Sequence, residues 1–275
     1  MPPRFYCPVP LQARQTLDLP DAITHHAVRV LRLRTGQTIT LFDGRGGEYP
    51  ATLQIQGKSA CAHLGDHNPR EAESTIPITL VQGLPSSGKM DGIVEKAVEL
   101  GVHTLVPVLA QRSPAQTQDR LHKRLEHWQR IIQAASAQCG RNRLMRIDAP
   151  QPFDAYLRQT PQSADTDALR LLCHPDGTQS LGRVLTHDTR ALTLCIGPEG
   201  GWSDAELHLS ETLGVVRVQF GARVLRTETA GMALVAAASA LLTASMTSLA
   251  CVSSAKIDAS VRLATASASN ASSEK

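Results

Sequence analysis

The sequence predicts an α/β domain built on a parallel sheet, preceded by a small β-rich domain. Three observations predict it. After residue 75, apolar runs of strand length alternate with helical patterns, as parallel strands with crossover helices require. Before residue 65, short strand-like runs are joined by a Gly-rich turn. Between the two lies Gly65 to Thr75 (GDHNPREAEST), a polar stretch suited to a linker. The expected units are therefore 1–70, 74–250 and a tail, 251–275. A chain of 275 residues buries a core without staples. With four Phe, three Tyr and two Trp, that core rests on Leu, Val, Ile and Ala.

In chain order, Asp21 to Leu33 carries Ile23, Ala27, Val30 and Leu31 at helical spacing, and Gly36 is expected to end that helix. Gln37 to Phe42 and Glu48 to Ile55 read as a hairpin around Asp43-Gly44-Arg45-Gly46-Gly47, with Ser59 to Leu64 as a third strand. The second unit offers strands at Ile76 to Gln82, Thr104 to Leu109, Leu144 to Ile147, Leu169 to Cys173, Leu192 to Ile196 and Val215 to Phe220. Its helices are expected at Lys89 to Leu100, Asp119 to Cys139, Ser203 to Leu213 and Thr227 to Ser248. The tail is mostly Ser and Ala and is expected to be disordered; its Asn270-Ala271-Ser272 sequon reads as chance.

Several function classes are excluded at this level. Six cysteines are scattered, no two closer than 22 positions, so no zinc knuckle or Cys-x-x-Cys motif can be drawn, and no metal is expected. Met1 to Leu11 has no continuous apolar run, which argues against a secretory signal and for a cytoplasmic protein. Thr229 to Ala255 is 27 residues without a charge, long enough to span a bilayer. Its Ala, Ser and Thr gain little in lipid, so a buried Ala-rich helix is expected and no membrane contact. The histidines show no zincin pattern, and there is no Gly-x-Ser-x-Gly elbow.

Three loops carry chemistry. Gly83 to Lys89 (GLPSSGK) satisfies most of a phosphate-binding loop, but Met90 stands where a magnesium-binding hydroxyl belongs and Pro85 removes a backbone donor. Ile196-Gly197-Pro198-Glu199-Gly200-Gly201 follows a strand and precedes a helix that Ser203 and Glu206 can cap with a capping box. Such a bend at the carboxyl end of a buried strand is where α/β sheets bind ligands. Phe220 to Ala230 (FGARVLRTETA) also joins a strand to a helix, and Arg226 and Glu228 place opposite charges at the mouth of that helix. The overall charge of +3 does not identify a partner. Its distribution is more informative: Asp119 to Arg146 holds seven basic residues against two acidic, and the first 70 residues hold eight against five, the excess that phosphate contacts need.

At these loops the chain resembles the SPOUT class of RNA methyltransferases, most closely the RsmE family, which methylates N3 of a uridine in bacterial 16S ribosomal RNA. Besides IGPEGG and Leu225 to Ala230 (LRTETA), the resemblance covers Arg4-Phe5-Tyr6, His26 to Arg32 (HAVRVLR), Asp91 to Gly101 (DGIVEKAVELG) and Gln138 to Arg143 (QCGRNR), and so nearly the whole chain to about Ser248. It departs at Phe220, where a smaller aliphatic residue is expected, and in the tail.

The resemblance implies a PUA-like β-barrel that grips RNA, followed by a SPOUT domain with a trefoil knot. It implies S-adenosyl-L-methionine as cofactor, a homodimer formed through the catalytic domain, and 16S rRNA or the 30S subunit as partner. Cofactor contacts carry over to Ile196, Gly197, Pro198, Glu199, Gly200, Gly201, Phe220, Gly221, Val224, Leu225, Arg226, Thr227, Thr229 and Ala230. RNA contacts are expected at Arg4, Arg29, Arg32, Arg141 and Arg143. N3 of uridine carries a proton, so a group must accept it or stabilise the developing anion. Arg226 is expected as the stabiliser, with Glu199 and Glu228 as candidates for a proton acceptor or for orienting that arginine. Two other readings are a non-enzymatic RNA-binding or ribosome-assembly factor, which has no need for two dense loops, and a P-loop NTPase.

Overall fold

The structure is a computed structural model that describes residues 2–86, 88–115, 117–159 and 168–243. The expected tail, and the end of the last expected helix, lie outside the described residues. Strand order divides the protein into two sheets.

The first is a five-stranded mixed sheet ordered β1-β3-β4-β5-β2, with β1 Arg4–Tyr6, β2 Thr16–Asp18, β3 Thr38–Phe42, β4 Tyr49–Gln56 and β5 Ser59–Leu64. Only β1 and β3 run parallel. The inward positions, among them Ile39, Leu41, Leu53 and Ala62, close a core with Phe5, Leu19 and Ile23. Three residues are too few to show alternation, which is why β1 and β2 escape a sequence reading.

The helix expected over Asp21 to Leu33 is shorter and of two kinds. Asp21–His25 is α-helical (α1), and His26–Val30 widens into a π-turn in which the Leu31 amide donates to the His26 carbonyl at 2.9 Å. The wider turn rotates later residues off the buried stripe, so Val30 and Leu31, expected inside, are exposed. Arg32 ends the segment at φ 54°, in the left-handed region.

The second sheet has eight strands, all parallel: β6 Ile78–Gly83, β7 Thr104–Leu109, β8 Arg146–Ile147, β9 Gln151–Pro152, β10 Ala168–Cys173, β11 Gln179–Ser180, β12 Ala191–Ile196 and β13 Val216–Gln219. Their order is β11-β13-β10-β12-β6-β7-β8, with β9 also pairing with β7. On one face pack α2 Lys89–Glu99, α3 Gln118–Cys139 and the C-terminal helix α7, residues 227–243. Along α7, Ala230, Leu234 and Ala238 recur every fourth position and are buried, as the Ala-rich helix expected there requires. The other face is covered by α4 Phe153–Gln159 and α6 Asp204–Thr212; a short helix, α5 Leu181–Val184, follows β11. Trp202 stacks on Phe153 in that layer, with ring centroids 4.1 Å apart. Among the described residues, no helix is long and apolar enough to cross a membrane.

Candidate active site

β13, β10 and β12 are neighbours in the sheet, so their carboxyl ends open side by side. The segments that leave them enclose a cavity of about 630 Å³. All of Ile196 to Gly201 lines it, and so do Phe220, Gly221, Val224, Leu225, Arg226, Thr227 and Ala230. Of the expected cofactor positions, only Thr229 stands outside the lining. Phe220, anticipated as a departure, keeps its place in the wall. The sequence reading missed Arg112, Cys173, His174 and Trp202, which also line the cavity. Strand ends were the available signal for Arg112 and His174: each lies just past the carboxyl end of a parallel strand, β7 and β10.

The loops approach closely enough to require glycine. A Cβ on Gly83 would lie 2.6 Å from the nitrogen of Pro198, and one on Gly200 would lie 2.9 Å from Cβ of Arg112. Arg112 spans the loop from outside, its Nη1 donating to the carbonyls of Gly200 and Trp202, each at 3.1 Å. The expected capping box of α6 is formed: Ser203 Oγ accepts from the Glu206 amide, and Glu206 Oε2 accepts from the Ser203 amide at 2.8 Å. Glu206 Oε1 also accepts from the Gln111 amide at 2.9 Å, which fixes the segment carrying Arg112.

Glu199 is fully engaged. Ser86 donates to its carboxylate from its amide at 3.1 Å and from its hydroxyl at 2.6 Å, and Lys89 Nζ lies 3.0 Å away. Burial alone would raise the Glu199 carboxyl. The Ser86 and Lys89 contacts outweigh it and hold the group down at about 2, while the same pairing raises Lys89. A carboxylate so acidic is a poor proton acceptor at neutral pH. Glu228 shares Lys89 at 3.5 Å and does not line the cavity. The Gly83 to Lys89 loop is therefore occupied by its neighbours: its lysine is bound by two carboxylates, and Pro198 sits against its first glycine. Among the described residues of the loop, that leaves no phosphate cradle.

Arg226 differs. It is exposed at the edge of the cavity, and its guanidinium has no hydrogen-bond or ion-pair partner among the described residues. At His174, Nδ1 lies 3.2 Å from the Asp176 amide nitrogen, which donates to it.

The expected RNA contacts separate into two groups. Arg29 and Arg32 are exposed, and Arg143 is half exposed with Glu71 at 3.5 Å. Arg4 and Arg141 point inward instead. Arg4 binds Glu48 and donates to Asn142 Oδ1 at 2.6 Å, joining β1 to the segment after α3. Arg141 is 2 % exposed, with two bonds to Glu73 at 2.6 and 3.0 Å and two to the carbonyls of Val98 and Val102. Four of its donors are used internally, so it is a structural tie rather than an RNA contact.

Comparison with known proteins agrees with this geometry. A family described as "RNA methyltransferase domain" matches residues 72–239, and one described as "RNA methyltransferase PUA domain" matches 19–64. A Neisseria gonorrhoeae ribosomal RNA small subunit methyltransferase E, crystallised with S-adenosyl methionine, is 36% identical with a TM-score of 0.81, covering 88% of this chain and 98% of that one. A Legionella pneumophila protein solved in complex with the bound cofactor SAM is 31% identical with a TM-score of 0.79, over 89% of this chain and 98% of that one. The Synechocystis ribosomal RNA small subunit methyltransferase E is 33% identical over 82% of this chain and 74% of its own length.

Proposed function

The chain belongs to the RNA methyltransferase family, and from that premise we propose that it transfers the methyl group of S-adenosylmethionine to N3 of a uridine in 16S ribosomal RNA. The observation that carries this reading is the convergence of Ile196 to Gly201 and Phe220 to Ala230 on one cavity at the carboxyl edge of a parallel sheet. Its volume is in the range of small-molecule sites. Trp202 Nε1, buried without a partner in that lining, suits a ligand bound through polar edges.

When bound, the cofactor supplies an electrophilic methyl on a cationic sulfur. The two loops would orient it, and Arg226 would offer an unpaired cation where negative charge develops on the uracil as N3 loses its proton to solvent water and takes the methyl, the cofactor sulfur leaving as a neutral thioether. Glu199 orients the Gly83 to Lys89 loop. The target base must be unpaired or displaced, because pairing occupies N3. Arg29, Arg32 and Arg143 contact RNA phosphates, with residues 1–70 acting as the PUA-like RNA-binding unit and 74–250 as the methyltransferase unit. We extend the reading to a cytoplasmic homodimer joined through the outer face of α7, acting on 16S rRNA or the 30S subunit.

Primer extension across 16S rRNA from a deletion strain, with and without restored protein, tests the reaction. A block at one uridine that disappears in the deletion and returns on complementation is expected. An unchanged set of blocks at every uridine defeats the proposal and favours a non-catalytic RNA-binding role.

A further inference from the structure

Gln82 lies behind the cavity rather than in it. It is the penultimate residue of β6, paired in register with Ile196, and is completely buried. Its Nε2 donates to the carbonyl of Gly83 at 3.0 Å and to Thr227 Oγ1 at 2.8 Å. Thr227 Oγ1 in turn donates to the carbonyl of Gly197 at 2.6 Å. Direction follows from proton count. A hydroxyl has one proton, and the Gly197 carbonyl can only accept, so the Thr227 proton goes there and its lone pair must receive a donor from Gln82. The amide orientation is fixed by this chain even though it leaves Gln82 Oε1 buried without a partner, beside Gly231.

We propose that Gln82 is a positioning residue for the cofactor site, its carboxamide setting the Ile196 to Gly201 loop and the Phe220 to Ala230 loop at a fixed separation. One side chain links three segments: its own loop at Gly83, the start of α7 at Thr227 and, through Thr227, the Ile196 to Gly201 loop at Gly197. Ile196, Gly197 and Thr227 all line the cavity. A buried acceptor left without its donor is costly, so the chain acts as a unit. Removing the Gln82 donor leaves Thr227 free to turn and releases the Gly197 carbonyl, which shifts one wall of the cavity against the other. The inference rests on the cofactor reading above.

The test uses full-length Gln82→Met, which keeps the shape and removes the donor, Thr227→Val, which breaks the next link, and the double variant. S-adenosylmethionine affinity is measured by calorimetry, and kcat and KM by methyl transfer to ribosomal RNA. Each single variant is expected to raise Kd and KM for the cofactor at least tenfold, with kcat at saturating cofactor changed less than about threefold. The double variant should be no worse than the poorer single one, because both cut the same chain. A Gln82→Met protein that loses thermal stability but binds the cofactor with wild-type affinity overturns the inference, as do fully additive effects. Should Gln82→Met fail to fold, Thr227→Val decides alone: unchanged cofactor affinity overturns the inference. A wild-type protein that binds no S-adenosylmethionine instead defeats the cofactor reading itself.

Discussion

Arg226 and Glu199 stand on the same cavity with opposite freedom. Sequence motifs weight them equally, since both lie in dense loops. Only their side-chain partners separate them: Glu199 is bound by Ser86 and Lys89, whereas the Arg226 guanidinium has no partner among the described residues. Arg226→Ala is therefore expected to lower turnover at saturating cofactor on the order of a hundredfold, as loss of one charge-stabilising donor does. Full turnover in single-turnover assays would remove Arg226 from the reaction. For Glu199 the consequence is one of stability. Its folded carboxyl lies at about 2 against an ordinary 4.5, so the stabilisation is present above about 4.5 and is lost as pH falls toward 2. Thermal melts of Glu199→Gln should accordingly show a shallower loss of Tm than wild type across that acid window. An identical slope in the two proteins would mean that the Ser86 and Lys89 contacts do not persist in solution.

At the scale of elements, α6 links the fold to the site through its first turn. Its capping box and the Glu206 contact to the Gln111 amide hold together the segments that carry Trp202 and Arg112. Ser203→Ala is expected to cost about 1 kcal/mol, or roughly 2–4 °C in Tm for a domain of this size, measured by calorimetry. A Tm equal to wild type would show the cap to be redundant. This cap was legible in the sequence because Ser-x-x-Glu is a local signal, and the long parallel strands were legible because buried runs such as Leu192 to Ile196 have no competing pattern. Other elements depend on more distant partners. Strands β1 and β2 are too short to show a period. In α4, Phe153, Tyr156 and Leu157 do have helical spacing, but over only seven residues. The π-turn at His26–Val30 inverted the expected burial of Val30 and Leu31, because hydrophobic periodicity presumes α-helical pitch. The loops of the candidate site were legible from Gly and Arg density; Gln82 was not, since a single Gln at the end of an apolar strand gives no local signal.

Across the whole molecule, charge counting finds basic clusters but cannot tell which arginines face solvent. Arg4 and Arg141 lie in the junction between the two sheets, where Glu48 and Asn142 engage both terminal nitrogens of Arg4 and Glu73 engages Arg141, and burial raises the Glu48 carboxyl while Arg4 and Arg70 pull it below its ordinary range. Arg29 and Arg32 are left on the surface of the N-terminal unit, flanking the exposed Val30 and Leu31. The two classes should respond differently to substitution. Arg4→Ala leaves Glu48 without its main partner and is expected to lower stability by up to about 3 kcal/mol, read from denaturant melts. The double variant Arg29→Ala, Arg32→Ala should fold as wild type and bind S-adenosylmethionine normally, yet bind a ribosomal RNA fragment more weakly. Each lost phosphate contact reduces the slope of log affinity against log salt by about one. The double variant should therefore lose about two units of slope, its deficit shrinking as salt rises. Wild-type affinity and slope across the salt series would mean that the RNA path avoids this face.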